Sequence, residues 1–312
     1  MDTAKPPLGR TVDTLVMAMH AASTGRQCED DGDRTTTIAL DGRRRLRYAE
    51  YGHPDGTPVL FLHGTPGSHR LGALFDEAAR ERNIRLLAPD RPGYGLSTPW
   101  SERSIRDADR YVRAVLDDAN VQRSGLVAFS GGAPHALATA ARCPDIVTRI
   151  DVVAGATPPD ATDEMPAMQR LLTGLATRTP TLLAGLFRGQ AWLAKRLDPS
   201  FVSAQYTAGD ADEPLPDEVA ATVKADFLEA FAGDGTGAVA ELRATATDWG
   251  IDYDSIRADV CFRHGTNDTN VPIEGVRAFA DRLPSARLET LDGADHLRTL
   301  FGSVPAVLDA QR

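Results

Sequence analysis

The chemistry in this sequence starts at Leu126-Val127-Ala128-Phe129-Ser130-Gly131-Gly132-Ala133. An apolar run ends at a serine, two glycines follow, and a helix-compatible stretch begins. A strand that turns this sharply into a helix strains the serine backbone and tolerates only small neighbours. Ala128, Gly131 and Gly132 supply them. The turn lifts the Ser130 hydroxyl out of a sheet and aims it at the positive end of the next helix. Pro134 then falls in that helix's first turn, where a missing N–H does no harm. Taken alone, a serine before two glycines is also what a plain loop carries.

Three further stretches give the serine company. Phe61-Leu62-His63-Gly64-Thr65-Pro66-Gly67-Ser68 follows a second apolar run. Acyl transfer passes through a tetrahedral intermediate whose negative oxygen needs a pair of N–H donors. Gly131, next to the serine, can give one. Pro66 has no N–H, so Thr65 is the candidate for the other. His63 is available as a base, although a histidine here more often bonds within its own loop and orients it. His264-Gly265-Thr266-Asn267-Asp268 places Asp268 just beyond a third run, and Leu291-Asp292-Gly293-Ala294-Asp295-His296 places His296 beyond a fourth. Hydroxyl, carboxylate and imidazole therefore all fall at the carboxyl ends of strands, the edge where open parallel sheets bind ligands.

The elements that must position these groups read as follows. Residues 1–34 form an appendage, with an amphipathic turn over 12–22 and a polar run Glu29-Asp30-Asp31-Gly32-Asp33. Residues 35–40 and 44–51 are strands joined at Asp41-Gly42, a hairpin signal. Strands at 59–62, 84–88, 126–129 and 146–154 then alternate with helices at 71–82, 105–119 and 133–142. On the 105–119 helix Ile105, Ala108, Val112, Val115 and Leu116 share one face. Such alternation implies an α/β fold, a mostly parallel sheet with helices on both faces. From 158 to 247 strand character is lost, and helices are expected at 165–176, 181–197 and 217–232. This is read as a helical lid, rich in Leu, Phe and Trp192 and suited to an apolar acyl pocket. Strands at 260–264 and 287–291, with helices at 274–282 and from 297, bring the sheet to eight strands. The core is thus 35–157 together with 248–312.

Composition removes several function classes. The net charge is -10, the wrong sign for neutralising phosphates, so neither nucleic acid nor an anionic membrane is expected as a partner. Lys5, Lys195 and Lys224 are the only lysines, and Arg carries the remaining positive charge. High-salt adaptation and GC-rich codon usage both produce this bias, and the moderate charge favours the second. The 3 cysteines Cys28, Cys143 and Cys261 are far apart, which argues against a disulfide framework and a zinc site. Cys143 and Cys261 are expected to fill core. Asp13 and His20 interrupt the short apolar stretch near the N-terminus, so no secretory signal is read and a cytoplasmic location is expected. No motif implies a metal, nucleotide or organic cofactor, and the oligomeric state is open.

Together these motifs resemble the α/β-hydrolase superfamily, from about residue 35 to the C-terminus apart from the lid. Asp90-Arg91-Pro92-Gly93-Tyr94-Gly95-Leu96-Ser97 is similar to its D-R-x-G-x-G-x-S loop, and Trp249-Gly250-Ile251-Asp252 to its W-G-F-D segment. Ala128 departs from the usual G-x-S-x-G, and Asp295 stands where glycine is common. The resemblance implies Ser130 as nucleophile, His296 as its base, Asp268 as the carboxylate orienting the histidine, and Thr65 with Gly131 as oxyanion hole. The expected activity is cleavage of a small-molecule carboxylic ester through an acyl-enzyme. Other outcomes on this fold are a proline-iminopeptidase-like aminopeptidase, whose amine-binding acids could be Asp210, Asp212, Glu213, Asp217 or Glu218; a cofactor-free haloperoxidase or C–C hydrolase; and a non-catalytic receptor. Asp160 and Asp163 are alternative acids. Asp295 is expected to be exposed, His135 to be a packing or surface residue, and His20, His53 and His69 show no partner pattern.

Overall fold

The computed structural model describes residues 34–161, 166–207 and 214–312. The appendage read in residues 1–34 lies outside them except for Arg34. Eight strands form one sheet in the order β1-β2-β4-β3-β5-β6-β7-β8. They are β1 Thr35–Ala39, β2 Arg45–Gly52, β3 Thr57–Leu62, β4 Ile84–Pro89, β5 Ser124–Phe129, β6 Val147–Val153, β7 Asp259–Gly265 and β8 Ala286–Leu291. β2 runs antiparallel to both β1 and β4, and every other pair is parallel. This is the mostly parallel eight-stranded α/β sheet expected from the alternation.

Central parallel strands are covered on both faces, so they must be apolar throughout. β5 is buried along its whole length, and Val59–Leu62 of β3 is buried beside it. The edge strands β1 and β8 are only partly covered. The first hairpin is closed by Asp41, whose Oδ1 accepts the Arg43 and Arg44 N–H groups at 3.0 and 2.9 Å. The Asp41 side chain thus closes the hairpin that Asp41-Gly42 signals.

Helices α1 Asp76–Glu81, α2 Ala108–Asp118, α3 Ala133–Arg142, α9 Ile273–Ala280 and α10 His296–Ala310 flank the sheet. α1 and α2 are each preceded by a tighter 3-10 segment, so the helix expected at 71–82 is divided. Ser104 and Asp107 form a capping box ahead of α2. All five apolar residues assigned to its inner face are buried. Cys143, at the end of α3, and Cys261, on β7, are free and buried.

Between β6 and β7 lie α4 Ala167–Arg178, α5 Pro180–Ala194, α6 Pro199–Ser203, α7 Asp217–Ala230 and α8 Thr236–Thr245. α6 and α8 were not legible: one is short, and the other opens on Thr236-Gly237, poor helix formers. Phe187, Phe227 and Phe231 pack on one another at centroid distances of 5.3 and 5.1 Å. Trp192 is 59% exposed under the Arg196 guanidinium, so it does not serve as the pocket wall expected of it. Among the described residues no helix is long and apolar enough to cross a membrane.

α8 meets the Asp90–Ser97 loop backbone to backbone. A Cβ on Gly237 would lie 2.4 Å from the Gly93 carbonyl carbon and oxygen, and Gly93 itself has φ +89°. Gly237→Ala is expected to destabilise the protein by about 1–3 kcal/mol, the usual cost of overpacking. Urea denaturation of the two proteins measures this.

Candidate active site

Ser130 follows β5 directly and has φ +50°, a left-handed backbone rare for residues with a side chain. It is half-buried, leaving its hydroxyl reachable. The glycines after it are required by close approach. A Cβ on Gly132 would fall 2.2 Å from the Leu62 oxygen, and one on Gly131 would fall 2.1 Å from Thr65 Oγ1 and 3.2 Å from Thr65 N. The turn is thereby pressed against the end of β3, with Thr65 and Gly131 side by side. Thr65 N–H takes no backbone acceptor among the described residues. The Thr65–Pro66 peptide is cis.

Asp268 and His296 meet because β7 and β8 end in register, Gly265 opposite Leu291. Their loops are also tied together: Thr266 N–H donates to the Leu291 oxygen and Asn267 N–H to the Ala294 oxygen, both at 3.0 Å. The His296 Nδ1–H donates to Asp268 Oδ2 at 2.7 Å. Asp268 Oδ1 accepts the Asn270 and Val271 N–H groups, each at 2.9 Å. Burial pushes the Asp268 carboxyl up, but His296, His264 and the Val271 N–H outweigh it and hold it below its ordinary value. An ionised Asp268 fixes the proton on Nδ1 and leaves Nε2 as the acceptor. The imidazole packs on Phe129, the residue before Ser130, at a centroid distance of 4.9 Å. Tyr206 of the insertion stacks at 6.3 Å, with an interplanar angle of 17°. Among the described residues no hydrogen bond joins Ser130 to His296, and such contacts commonly tighten only once substrate binds.

The other candidates fall elsewhere. His63 orients its own loop: Nδ1–H donates to the Gly64 oxygen at 2.8 Å and Nε2 accepts the Arg91 N–H at 3.2 Å. Asp160 is largely exposed and paired with Arg282. Asp163 lies outside the described residues. Asp295 is buried, contrary to expectation, because it caps α10 by accepting the Arg298 N–H at 2.8 Å and pairs with that arginine's guanidinium. His53 Nδ1 accepts the Asp55 N–H. His69 does have a partner: its Nδ1 lies 2.9 and 3.0 Å from the two Asp90 oxygens. His69, Asp90 and Glu229 bring possible metal-ligand atoms within 4.8 Å of one another, yet Arg47 and Arg70 already pair with Glu229 and supply the positive charge there.

Sequence reasoning missed Glu241, on α8 and fully buried. Its Oε2 accepts from Thr65 Oγ1 at 2.9 Å, Arg91 at 2.7 Å and Tyr94 OH at 2.5 Å. Its Oε1 accepts from Arg91 Nε at 2.8 Å and His135 Nε2 at 2.5 Å. His135 is therefore a buried partner of an acid, with burial lowering its pKa to about 4 against the pull of Glu241. Nothing around Glu241 in the sequence separates it from a solvated helix residue. A second insertion acid, Asp226 on α7, accepts the Ser68 N–H and Oγ–H at 2.6 and 2.8 Å. A cleft of about 350 Å³ lined by residues from Arg113 to Ile146 includes neither Ser130 nor any of these groups.

The family described as alpha/beta hydrolase fold matches residues 57–302. An uncharacterized hydrolase of Bacillus subtilis, YcgS, is 30% identical over 125 residues, 40% of this chain and 42% of that protein. A haloalkane dehalogenase of Mycobacterium marinum is 28% identical over 181 residues, 56% of this chain and 57% of that protein. The chain thus spans about half the length of these relatives. A bromoperoxidase structure from Bacillus anthracis superposes with a TM-score of 0.69 at 18% identity, covering 88% of this chain and 98% of that one, a likeness of fold.

Asp226 gives a pH prediction. Burial first, and then Asp90, raise its carboxyl from 3.8 to about 7, against the Ser68 bonds. Between those values the folded protein keeps a proton that the unfolded chain has released, so stability falls as pH rises through the window. Asp226→Asn, which keeps the Ser68 acceptor, should therefore gain in Tm relative to the parent as pH is raised from about 4 to about 8. Thermal melts across that range test the sign.

Proposed function

This chain belongs to the alpha/beta hydrolase fold family, and we propose that it cleaves a carboxylic ester of a small molecule through an acyl-Ser130 intermediate. The observation that carries this reading is the Asp268–His296 bond of 2.7 Å, on an imidazole that packs against Phe129, the residue before a serine held at positive φ. With Nδ1–H on Asp268, Nε2 takes the Ser130 proton as the hydroxyl oxygen attacks the ester carbon. The carbonyl oxygen becomes an oxyanion facing the Thr65 and Gly131 N–H groups. The imidazolium, stabilised by Asp268, gives its proton to the departing alkoxide. Water then attacks the acyl-serine, losing a proton to His296, and the returning proton frees Ser130. The helices α4–α8 act as a lid over this edge.

A hydroxyl at the elbow bears on the choice of bond. Displacing a halide from an alkyl carbon with a serine would leave an ether, which water does not cleave under these conditions, whereas an acyl-serine is hydrolysable. Ester chemistry is thus favoured over the activity named for the dehalogenase relative. For an aminopeptidase, Asp217 and Glu218 are exposed at the start of α7, where they complement the helix dipole. Asp210, Asp212 and Glu213 lie outside the described residues.

The test is fluorophosphonate labelling followed by turnover of p-nitrophenyl esters of increasing acyl length. Ser130 should take the label. Ser130→Ala should lose on the order of 10⁴-fold or more in kcat, and Asp268→Asn about 10⁴-fold. A folded protein that neither labels at Ser130 nor turns over any ester or lactone would point to a ligand-binding role instead.

A further inference from the structure

Beneath the Gly64–Thr65 peptide lies a buried guanidinium that the steps above do not use. Arg91 is fully buried. Its Nη2 donates to the Gly64 oxygen at 2.9 Å and lies 3.2 Å from Thr65 Oγ1, and its Nη1 donates to the His63 oxygen. The Gly64 oxygen also accepts His63 Nδ1–H at 2.8 Å. That oxygen and the Thr65 N–H belong to one planar trans peptide, so they point in opposite directions. Two donors fix the oxygen end, and the N–H end is thereby fixed pointing the opposite way. A cation on the oxygen end also polarises the amide, making its N–H the stronger donor.

Arg91 is itself gripped. Glu241 of α8 takes it bidentately, Nε to Oε1 at 2.8 Å and Nη2 to Oε2 at 2.7 Å. Such a fork fixes the plane of the guanidinium as well as its position. Arg103 approaches the same carboxylate at 3.6 Å, so two cations share one anion and leave excess positive charge under the loop. Gly64 also faces the elbow directly: a Cβ there would lie 3.4 Å from Ser130 Cβ.

We propose that Arg91, held by Glu241 of the insertion, is a positioning residue that orients and polarises the Gly64–Thr65 peptide, so that the Thr65 N–H serves as an oxyanion donor. The proposal rests on the serine-hydrolase reading above. It makes the insertion part of the oxyanion machinery and assigns a role to two side chains outside the hydroxyl, imidazole and carboxylate set.

The experiment uses the full chain with Glu241→Gln, which is nearly isosteric, Arg91→Lys, and Tyr94→Phe, which removes one hydroxyl from the Glu241 shell. Two readouts are taken: the Thr65 amide resonance by ¹H–¹⁵N NMR, and kcat and KM beside the inhibition constant of a boronic acid that mimics the tetrahedral state. Glu241→Gln and Arg91→Lys should move the Thr65 amide proton upfield. They should lower kcat about 10- to 100-fold with KM within about twofold, and weaken boronate binding in step with kcat. Tyr94→Phe should move both readouts in the same direction by less. Unchanged kcat, boronate affinity and Thr65 resonance in folded Glu241→Gln would overturn the proposal, as would a loss confined to KM. If Arg91→Lys fails to fold, Glu241→Gln and Tyr94→Phe decide. If the parent does not label at Ser130, the hydrolase reading fails on its own, and a stationary Thr65 resonance would still refute the Arg91 link.

Discussion

A carboxylate removed from water costs several kcal/mol unless charge and hydrogen bonds meet it inside, and Glu241 is removed completely. Its donors come from separate pieces of chain: Thr65 after β3, Arg91 and Tyr94 after β4, and His135 on the helix that follows Ser130. Satisfying this one acid therefore brings the elbow, the facing loop and the insertion to a common point. The demand for proximity explains the glycines. Gly93 and Gly237 let α8 approach until backbones touch, and Gly131 and Gly132 do the same between the elbow and the end of β3.

The insertion is held to that loop twice. Glu241 of α8 reaches Thr65, and Asp226 of α7 reaches Ser68. Such anchoring differs from the general apolar cover that composition alone suggested. Phe187, Phe227 and Phe231 of the insertion pack together, while its acids reach outward: Glu229 to Arg47 and Arg70, and Glu241 to Arg91, Tyr94 and His135. Trp192, the most conspicuous apolar residue of the insertion as a string of letters, is turned outward.

What could be read from the sequence follows the range of the interaction that decides it. The strands were legible because burial on both faces demands continuous apolar runs such as Leu126–Phe129. The meeting of Asp268 with His296 was legible because two parallel strands end in register and each loop is only a few residues long. Glu241 was not, since its partners are distant in sequence and its own helix begins with poor helix formers. Asp295 failed for a related reason, an unseen helix cap turning an exposed expectation into a buried one, and His135, expected to pack or to face solvent, is buried against an acid that its neighbours in sequence do not announce. Asp41 is the intermediate case, where the hairpin was found but the side-chain bonds that close it were not.

Three buried acids around the site show how partners decide charge. Asp268 faces His296 and His264, and its carboxyl is held down. Glu241 faces two guanidinium groups and is held well below its ordinary value despite burial that pushes the other way. Asp226 has hydrogen bonds from Ser68 but no arginine among its main influences, and burial pushes it up to about 7. The two acids with cationic or imidazole partners thus stay ionised, and the third tends to hold a proton. Negative charge on Asp226 would lie against Ser68, on the loop that carries the Thr65 N–H, and oppose any oxyanion forming there. Its neutral form removes that opposition. The balance near Thr65 is then left to Arg91, Arg103 and Glu241, whose sum is positive. Burial alone would have neutralised all three acids. The placement of arginine and histidine partners selects which of them remain charged, and so sets the field in which the serine would react.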